Sequence, residues 1–250
     1  AEVVLGPTLR KLATAATFNP SLPYLSFLCI NFDAPVVKEA ASWFLGGVFL
    51  NYNSSYLERA LEQMLGEADS PEVTRFLRAV DVRIDGFRVE KAPEGRGQRV
   101  FVRHDVGGRG YELRLSEESA GTQKLMGLAA FLLAALERGG TVVVDELDAK
   151  LHPKLLRYVI LLFKDPEVNE HGAQLIFSSQ DVSTMRNDVF RRDEIWFAAR
   201  GEGEASQLWS LADIHEANGN LVSKSAAFDK QYLSGRYGAD PYLTRIEEWD

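Results

Sequence analysis

Thr141-Val142-Val143-Val144-Asp145-Glu146, followed by Leu147-Asp148-Ala149-Lys150-Leu151-His152-Pro153, is the stretch on which the fold turns. Four β-branched residues in succession read as a buried strand of a parallel sheet, where both faces are covered. The strand stops on two acids, at the edge where open α/β sheets take up their ligands. There Asp145 is placed to hold Mg²⁺, directly or through its waters, and Glu146 to orient and deprotonate a water for attack on a γ-phosphate. The plainer reading is a strand end with two solvated acids, and so short a pattern does not decide between them.

Upstream, Ser116-Glu117-Glu118-Ser119-Ala120-Gly121-Thr122-Gln123 runs into Lys124-Leu125-Met126-Gly127-Leu128-Ala129-Ala130-Phe131-Leu132-Leu133-Ala134-Ala135-Leu136. The second segment is a strong helix former and apolar nearly all round, which predicts a buried helix. Ser119 can cap it, and a hydroxyl with free N–H groups at a helix start makes an anion site. A plain N-cap would use Ser119 equally well. Gly121, directly after the cap, is poor helix chemistry and favours close approach of the backbone to a ligand.

Serine-x-glycine at a helix start, a hydrophobic helix, then a strand ending Asp-Glu resembles the C-terminal half of an ABC-type ATPase. The likeness extends to Gly172-Ala173-Gln174-Leu175-Ile176-Phe177-Ser178-Ser179-Gln180-Asp181, to Arg191-Arg192-Asp193-Glu194-Ile195-Trp196-Phe197 and to Tyr232-Leu233-Ser234-Gly235-Arg236-Tyr237-Gly238-Ala239. Over at least residues 112–243 the chain is similar to the AAA15-type, ABC-like ATPases of bacterial abortive-infection systems, among them RloA- and AbiL-like proteins. Gly235-Arg236-Tyr237-Gly238 is the most discriminating element.

The resemblance implies an α/β fold, the C-terminal part of an ABC-type ATPase head with a P-loop NTPase core, carrying a helical lobe and an antiparallel β segment. It implies ATP and Mg²⁺ as cofactors, with Asp145 as the metal residue and Glu146 as the catalytic base. Ser119, Ala120, Gly121 and Gln123 become a signature that reaches across a head-to-tail dimer to the partner's nucleotide. Asp148 and His152 fall in the D-loop, at that dimer interface. Both also read as a polar turn and an N-cap, and His152 has no second ligand at metal spacing. Where the family usually has a switch histidine this chain has Gln180, which can donate a hydrogen bond to a γ-phosphate oxygen but carries no proton or charge. Weak turnover is therefore expected. Arg236 reads either as the surface residue of a tight turn or as a partner for phosphate or an acidic group.

The composition is compatible with this. A length of 250 residues with 46% hydrophobic content supports one sizeable core, or one core with a small lobe. The single cysteine, Cys29, argues against a disulfide framework and for a reducing compartment. No apolar run approaches a membrane span and no signal peptide is present, so a soluble, cytoplasmic protein is expected. The net charge of −8 supplies no global field toward nucleic acid and leaves only a local basic patch as a route to it.

No run reads Gly-x-x-x-x-Gly-Lys-Ser/Thr. Gly95-Arg96-Gly97-Gln98 and Gly107-Gly108-Arg109-Gly110 lack the lysine and hydroxyl and read as hairpin turns. The expectation is the C-terminal portion of a longer polypeptide, with the phosphate-binding lobe cut away, disordered or carried by another chain.

Residues 1–80 are expected to form the helical lobe. They contain a mixed segment at 4–14, a strand or buried helix end at Tyr24–Ile30, a Pro35 helix to about Leu45, helical spacing over 54–68 and a Pro71 helix to about Ala79. Residues 81–250 are expected to hold the nucleotide-binding part. Alternating antiparallel strands cover Val80 to Leu115. After them come the signature helix, the acidic strand, a helix from Pro153 to Phe163, a buried strand Gln174–Ser178, a helix over Asp181–Phe190 and two final strands.

These readings together point to an ATPase subunit of a phage-defence complex that dimerises around ATP and controls a separate effector. The resemblance implies a Toprim-like nuclease as that effector. Two alternatives stand beside it. A DNA-repair or chromosome-structure ABC ATPase would need long heptad repeats, and the 250 residues contain none. A scaffold using nucleotide as glue, with little turnover, is kept open by Gln180.

Overall fold

The computed structural model describes residues 24–31, 35–46, 48–50, 71–80, 82–91, 98–200, 205–216 and 218–239. The expected segments at 4–14 and 54–68 and the turn at 95–97 lie outside these.

The stretch Thr141–Val144 forms β5, the middle strand of a parallel sheet ordered β1 (Val48–Leu50), β5, β6 (Gln174–Phe177). Val142 stands opposite both Val48 and Leu175. Val142 and Val144 are buried while Thr141 and Val143 are partly exposed, so the strand buries one face fully. β1 arises within the segment expected to be a helical lobe. Two helices of that segment, α1 (Tyr24–Asn31) and α2 (Pro35–Gly46), precede it. Tyr24–Ile30, which sequence left as strand or helix, is helical. Phe27, Leu28 and Val37 make a small cluster of their own.

The helix opened by Pro71, α3 (Pro71–Ala79), packs Val73, Phe76 and Leu77 into the main core. Three antiparallel strands follow: β2 (Gly86–Lys91), β3 (Gln98–Val106) and β4 (Arg109–Arg114). Phe87 faces Val102, and both are buried. On the opposite face the Arg88 guanidinium lies 4.2 Å over the Phe101 ring and 2.8 Å from Glu112. Gly107 and Gly108, with φ of 63° and 79°, turn β3 into β4 as a two-residue hairpin demands.

The Leu/Ala-rich segment forms α4 (Ala120–Arg138), the centre of the core. It gathers α3, the inner face of β2 and β3, β5, and Leu156, Val159 and Ile160 of α5 (Pro153–Leu162) into one cluster. The helix stops at Gly139, whose φ of 71° suits glycine and whose missing side chain makes room for the His171 carbonyl.

Two expectations fail downstream. The sequence of Gln174–Ser178 reads as a buried strand, yet Ile176 is 55% exposed. Among the described residues β5 is the sole strand partner of β6, so its outer side is not covered by another strand. The expected helix over Asp181–Phe190 is instead one 3-10 turn, Val182–Thr184. Asp181 does cap it, accepting from Ser183 N at 2.7 Å. The segment that follows carries Ser, Thr, Asn and Asp, which compete for backbone hydrogen bonds and shorten helices.

The last elements, β7 (Trp196–Arg200), β8 (Ser206–Ser210) and α6 (Phe228–Leu233), enclose a second cluster. Its anchor is Tyr237, which is buried and packs on Phe197. Its hydroxyl donates to Gln231 Oε1 at 2.7 Å. Burial pushes the phenol up to about 12, and the nearby charge of Glu216 adds to the shift. Gly235 and Gly238, both at positive φ, bracket this anchor, while Arg236 is exposed. The Gly-Arg-Tyr-Gly element is thus a turn that seats a tyrosine.

Among the described residues no helix is long and apolar enough to cross a membrane.

Candidate functional site

The two acids leave β5 on a tight turn, and the chain there adopts an unfavourable backbone. Glu146 has φ 49° and Lys150 φ 63°, the left-handed region that costs a non-glycine residue about 1–2 kcal/mol. Such strain survives only where the surroundings hold it, and here they do so on two sides.

On one side Ser178, just past β6, uses every polar group it has. Its N–H donates to the Val144 carbonyl at 3.1 Å and its carbonyl accepts from Leu147 N at 3.0 Å. Its hydroxyl accepts from Glu146 N at 2.8 Å and donates to Asp145 Oδ1. One Asp145 oxygen is thereby fixed and the other is left for a ligand. Leu147, wholly buried, plugs the turn into the core. Asp148 folds back to accept from Gln180 N at 3.3 Å, so these two residues are neighbours.

On the other side stands α4. Ser119 caps it, its Oγ accepting from Thr122 N at 3.1 Å and lying 2.9 Å from the Thr122 hydroxyl. A methyl group at Gly121 would lie 2.9 Å from the Lys150 carbonyl oxygen. The glycine therefore serves the close approach of helix start and turn, a packing reason beside the ligand-facing one expected from sequence. One turn further on, Lys124 is 4% exposed and its ammonium donates to the Glu146 carbonyl at 2.7 Å and the Ala149 carbonyl at 2.8 Å. Burial pushes this amine down to about 8 against the opposing charges of Asp148 and Glu146. Each charged hydrogen bond is worth about 1.5–3 kcal/mol net. The two bonds fix the carbonyls of Glu146 and Ala149 on the turn, and burial of the ammonium offsets their gain.

Asp145, Glu146, Ser119, Ala120 and Gln180 are all exposed, so their functional groups form an open surface rather than a pocket. Gln123 turns inward, donating to the Glu118 carbonyl at 2.7 Å. His152 caps α5, its Nδ1 accepting from Lys154 N at 3.1 Å. That nitrogen is committed to the helix. Among the described residues no three acidic, histidine or cysteine side chains cluster as a metal cage. Mg²⁺ does not need one, since it takes one or two carboxylates together with phosphate oxygens and water. The free oxygen of Asp145 fits that role.

Three participants were not singled out from sequence. Lys124 announces itself only as the one charge inside an apolar helix. Ser178 sits in an unremarkable Ser-Ser pair. His104, on β3, reaches the residue before the cap: its Nε2 is 2.6 Å from Glu118 Oε1, and its Nδ1 donates to the Arg83 carbonyl at 2.8 Å. With Nδ1 donating, the short Nε2 contact to a carboxylate calls for a second ring proton. Burial works to lower the His104 pKa, but the Glu118 hydrogen bond, the Arg83 carbonyl and the charges of Glu118 and Asp85 outweigh it and hold it above 6.5.

Solved structures similar to this chain include SMC ATPases from a study of ATP-driven dimerisation and DNA-stimulated activation, at 16% identity and TM-score 0.36, covering 63% of this chain and 84% of theirs. A Pyrococcus yayanosii Smc head domain with a coiled coil and joint matches at 15% and 0.35, over 74% of this chain and 29% of that one. An Smc head bound to the C-terminal winged-helix domain of ScpA matches at 14% and 0.33, over 71% and 47%. The chain thus spans less than half the length of the last two. No curated protein matches. The sequence model of the family described as "AAA domain, putative AbiEii toxin, Type IV TA system" matches residues 11–186, well over half of the chain. The chain belongs to that family and has a mixed α/β architecture.

Proposed function

We propose that this protein hydrolyses ATP as the switch subunit of an RloA/AbiL-like abortive-infection complex, dimerising head to tail around the nucleotide and controlling a separate effector, a nuclease of Toprim-like type. The observation that carries the reading is the acid turn. Asp145 is oriented by Ser178, and Glu146 is held in a strained backbone from both sides with its carboxylate left in the open. Strain kept at an exposed acid serves positioning rather than stability. Asp145 would hold Mg²⁺, which on binding neutralises charge on the phosphates. Glu146 takes the proton of the attacking water, and the Gln180 amide donates to a γ-phosphate oxygen. Ser119 and the N–H groups beside Gly121 offer an anion site to the γ-phosphate bound by a second copy. The reading also requires a phosphate loop, and no run of these 250 residues reads Gly-x-x-x-x-Gly-Lys-Ser/Thr. The description of the matched family, "AAA domain, putative AbiEii toxin, Type IV TA system", supports the defence role.

The test uses the protein joined to its phosphate-loop lobe. Glu146→Gln is expected to keep ATP and Mg²⁺ binding and to lose about a hundredfold or more in hydrolysis. Ser119→Arg is expected to block closure by bulk. Mixing the two inactive variants gives dimers with one doubly damaged site and one intact site, so part of the activity returns. Unchanged hydrolysis in Glu146→Gln removes that residue from the chemistry. Mixed dimers without rescue remove the independent composite site.

A further inference from the structure

Lys124 carries more than the cap and the acids require. It lies five residues after Ser119 and is 4% exposed, behind the open surface. Its ammonium spans the two carbonyls that bracket the turn, Glu146 at 2.7 Å and Ala149 at 2.8 Å. Gly121 meets the same turn one residue later, at the Lys150 carbonyl. Two rigid contacts from the first turns of α4 therefore grip residues 146–150. Ser178 and the Gln180 N–H grip the turn from the β6 side. An α-helix transmits a shift of its first turn to the next with little loss, because each backbone hydrogen bond ties residue i to residue i+4. Whatever moves Ser119 moves Nζ of Lys124, and with it the carbonyl that defines the left-handed backbone of Glu146.

We propose that Lys124 is a positioning residue that couples the start of α4 to the acid turn, so that engagement of a γ-phosphate by Ser119 sets the aim of Glu146 within the same chain. The inference rests on the ATPase reading above and adds a direction to it. In a head-to-tail dimer the phosphate sensed at Ser119 belongs to the partner's site, while the Glu146 that responds belongs to this chain's own site. Each site then reports to the other through one lysine.

The test is a double-mutant cycle in the full protein, with steady-state hydrolysis as the readout. Lys124→Met is expected to lower kcat about tenfold or more, as a misplaced catalytic group does, with KM for ATP within about threefold of the parent. Lys124→Arg, which keeps two donors and the charge, should recover part of the loss. The decisive comparison is Lys124→Met combined with Glu146→Gln. A residue acting through Glu146 adds nothing once Glu146 is gone, so the double variant should be no slower than Glu146→Gln alone. Multiplicative losses, or a KM effect without a kcat effect, overturn the coupling. If Lys124→Met fails to fold by circular dichroism, Lys124→Arg takes its place in the cycle, where a reduced and non-additive kcat supports the link and an unchanged or additive one overturns it. A parent protein that binds ATP but does not hydrolyse it overturns the functional reading, and the coupling with it. A hydrolysing parent with additive variants overturns the coupling alone.

Discussion

Gly121→Ala sets helix propensity against a steric contact, and the structure decides the sign. Alanine is worth about 1 kcal/mol over glycine inside a helix, and somewhat less in a first turn. Propensity alone therefore predicts a small gain. The new methyl would meet the Lys150 carbonyl oxygen at 2.9 Å, about half an ångström inside ordinary contact. That oxygen is main chain and cannot rotate away. Lys150 is itself at positive φ, and its neighbour Ala149 is bonded to the buried Lys124. Relief requires moving either the start of α4 or the turn, and overpacking of this kind costs about 1–3 kcal/mol. The net expectation is a loss of roughly 1 kcal/mol, read as a lower urea midpoint at unchanged slope. Hydrolysis should fall by more than the folded fraction does, because the displaced turn carries Glu146. A variant as stable as the parent or more so would show that the helix start and the turn are not in contact, and the packing account of Gly121 would fall with it.

Two further outcomes follow from other parts of the molecule. Leu132 is fully buried midway along α4, and Leu132→Ala should cost about 2–5 kcal/mol in chemical denaturation without altering the slope; a loss below about 1 kcal/mol would place it outside the core. His104, whose folded pKa is raised above 6.5, stabilises the protein fully below 6.5, and the contribution disappears as pH rises through the folded value; His104→Gln should flatten the stability loss on the alkaline side of 6.5, and an unchanged pH profile would discount the Glu118 pair.

The acid turn was legible from sequence because its chemistry is local. Strand, acids and Pro153 sit within thirteen consecutive residues, and each marks its place by a period or a cap. The cap of α4 was legible for the same reason, and Ser119 does accept from Thr122 N. What escaped notice depends on contacts across long separations. Ser178 acquires its role only when β6 pairs with β5, and Lys124 only when α4 lies along the turn 22 residues later. A lysine in an apolar helix carries a cost that must be met by partners, so its position was a signal, though the partners were not readable. The overestimated helix after Asp181 is the opposite error. A good cap was present, but Asn187, Asp188 and the β-branched neighbours withhold the propensity to extend the turn it starts.

The openness of the acidic surface bears on what the proposed hydrolysis would be for. Two charges 4 Å apart interact by about 1 kcal/mol in water and by about 4 kcal/mol at the effective dielectric of a protein surface. Asp145 lies exposed, so in the isolated chain its pull on a divalent cation is near the weaker limit. On the proposed reading a second copy covers this surface, expels water and raises those interactions while Ser119 arrives at the phosphate. Rate then depends on assembly more than on the acids themselves. On the same reading Gln180, lacking a titratable proton, would lower the ceiling on that rate. A slow clock that runs only while two heads are closed suits a switch that must stay set long enough to act on another protein, whereas fast turnover would reset it before the effector responds.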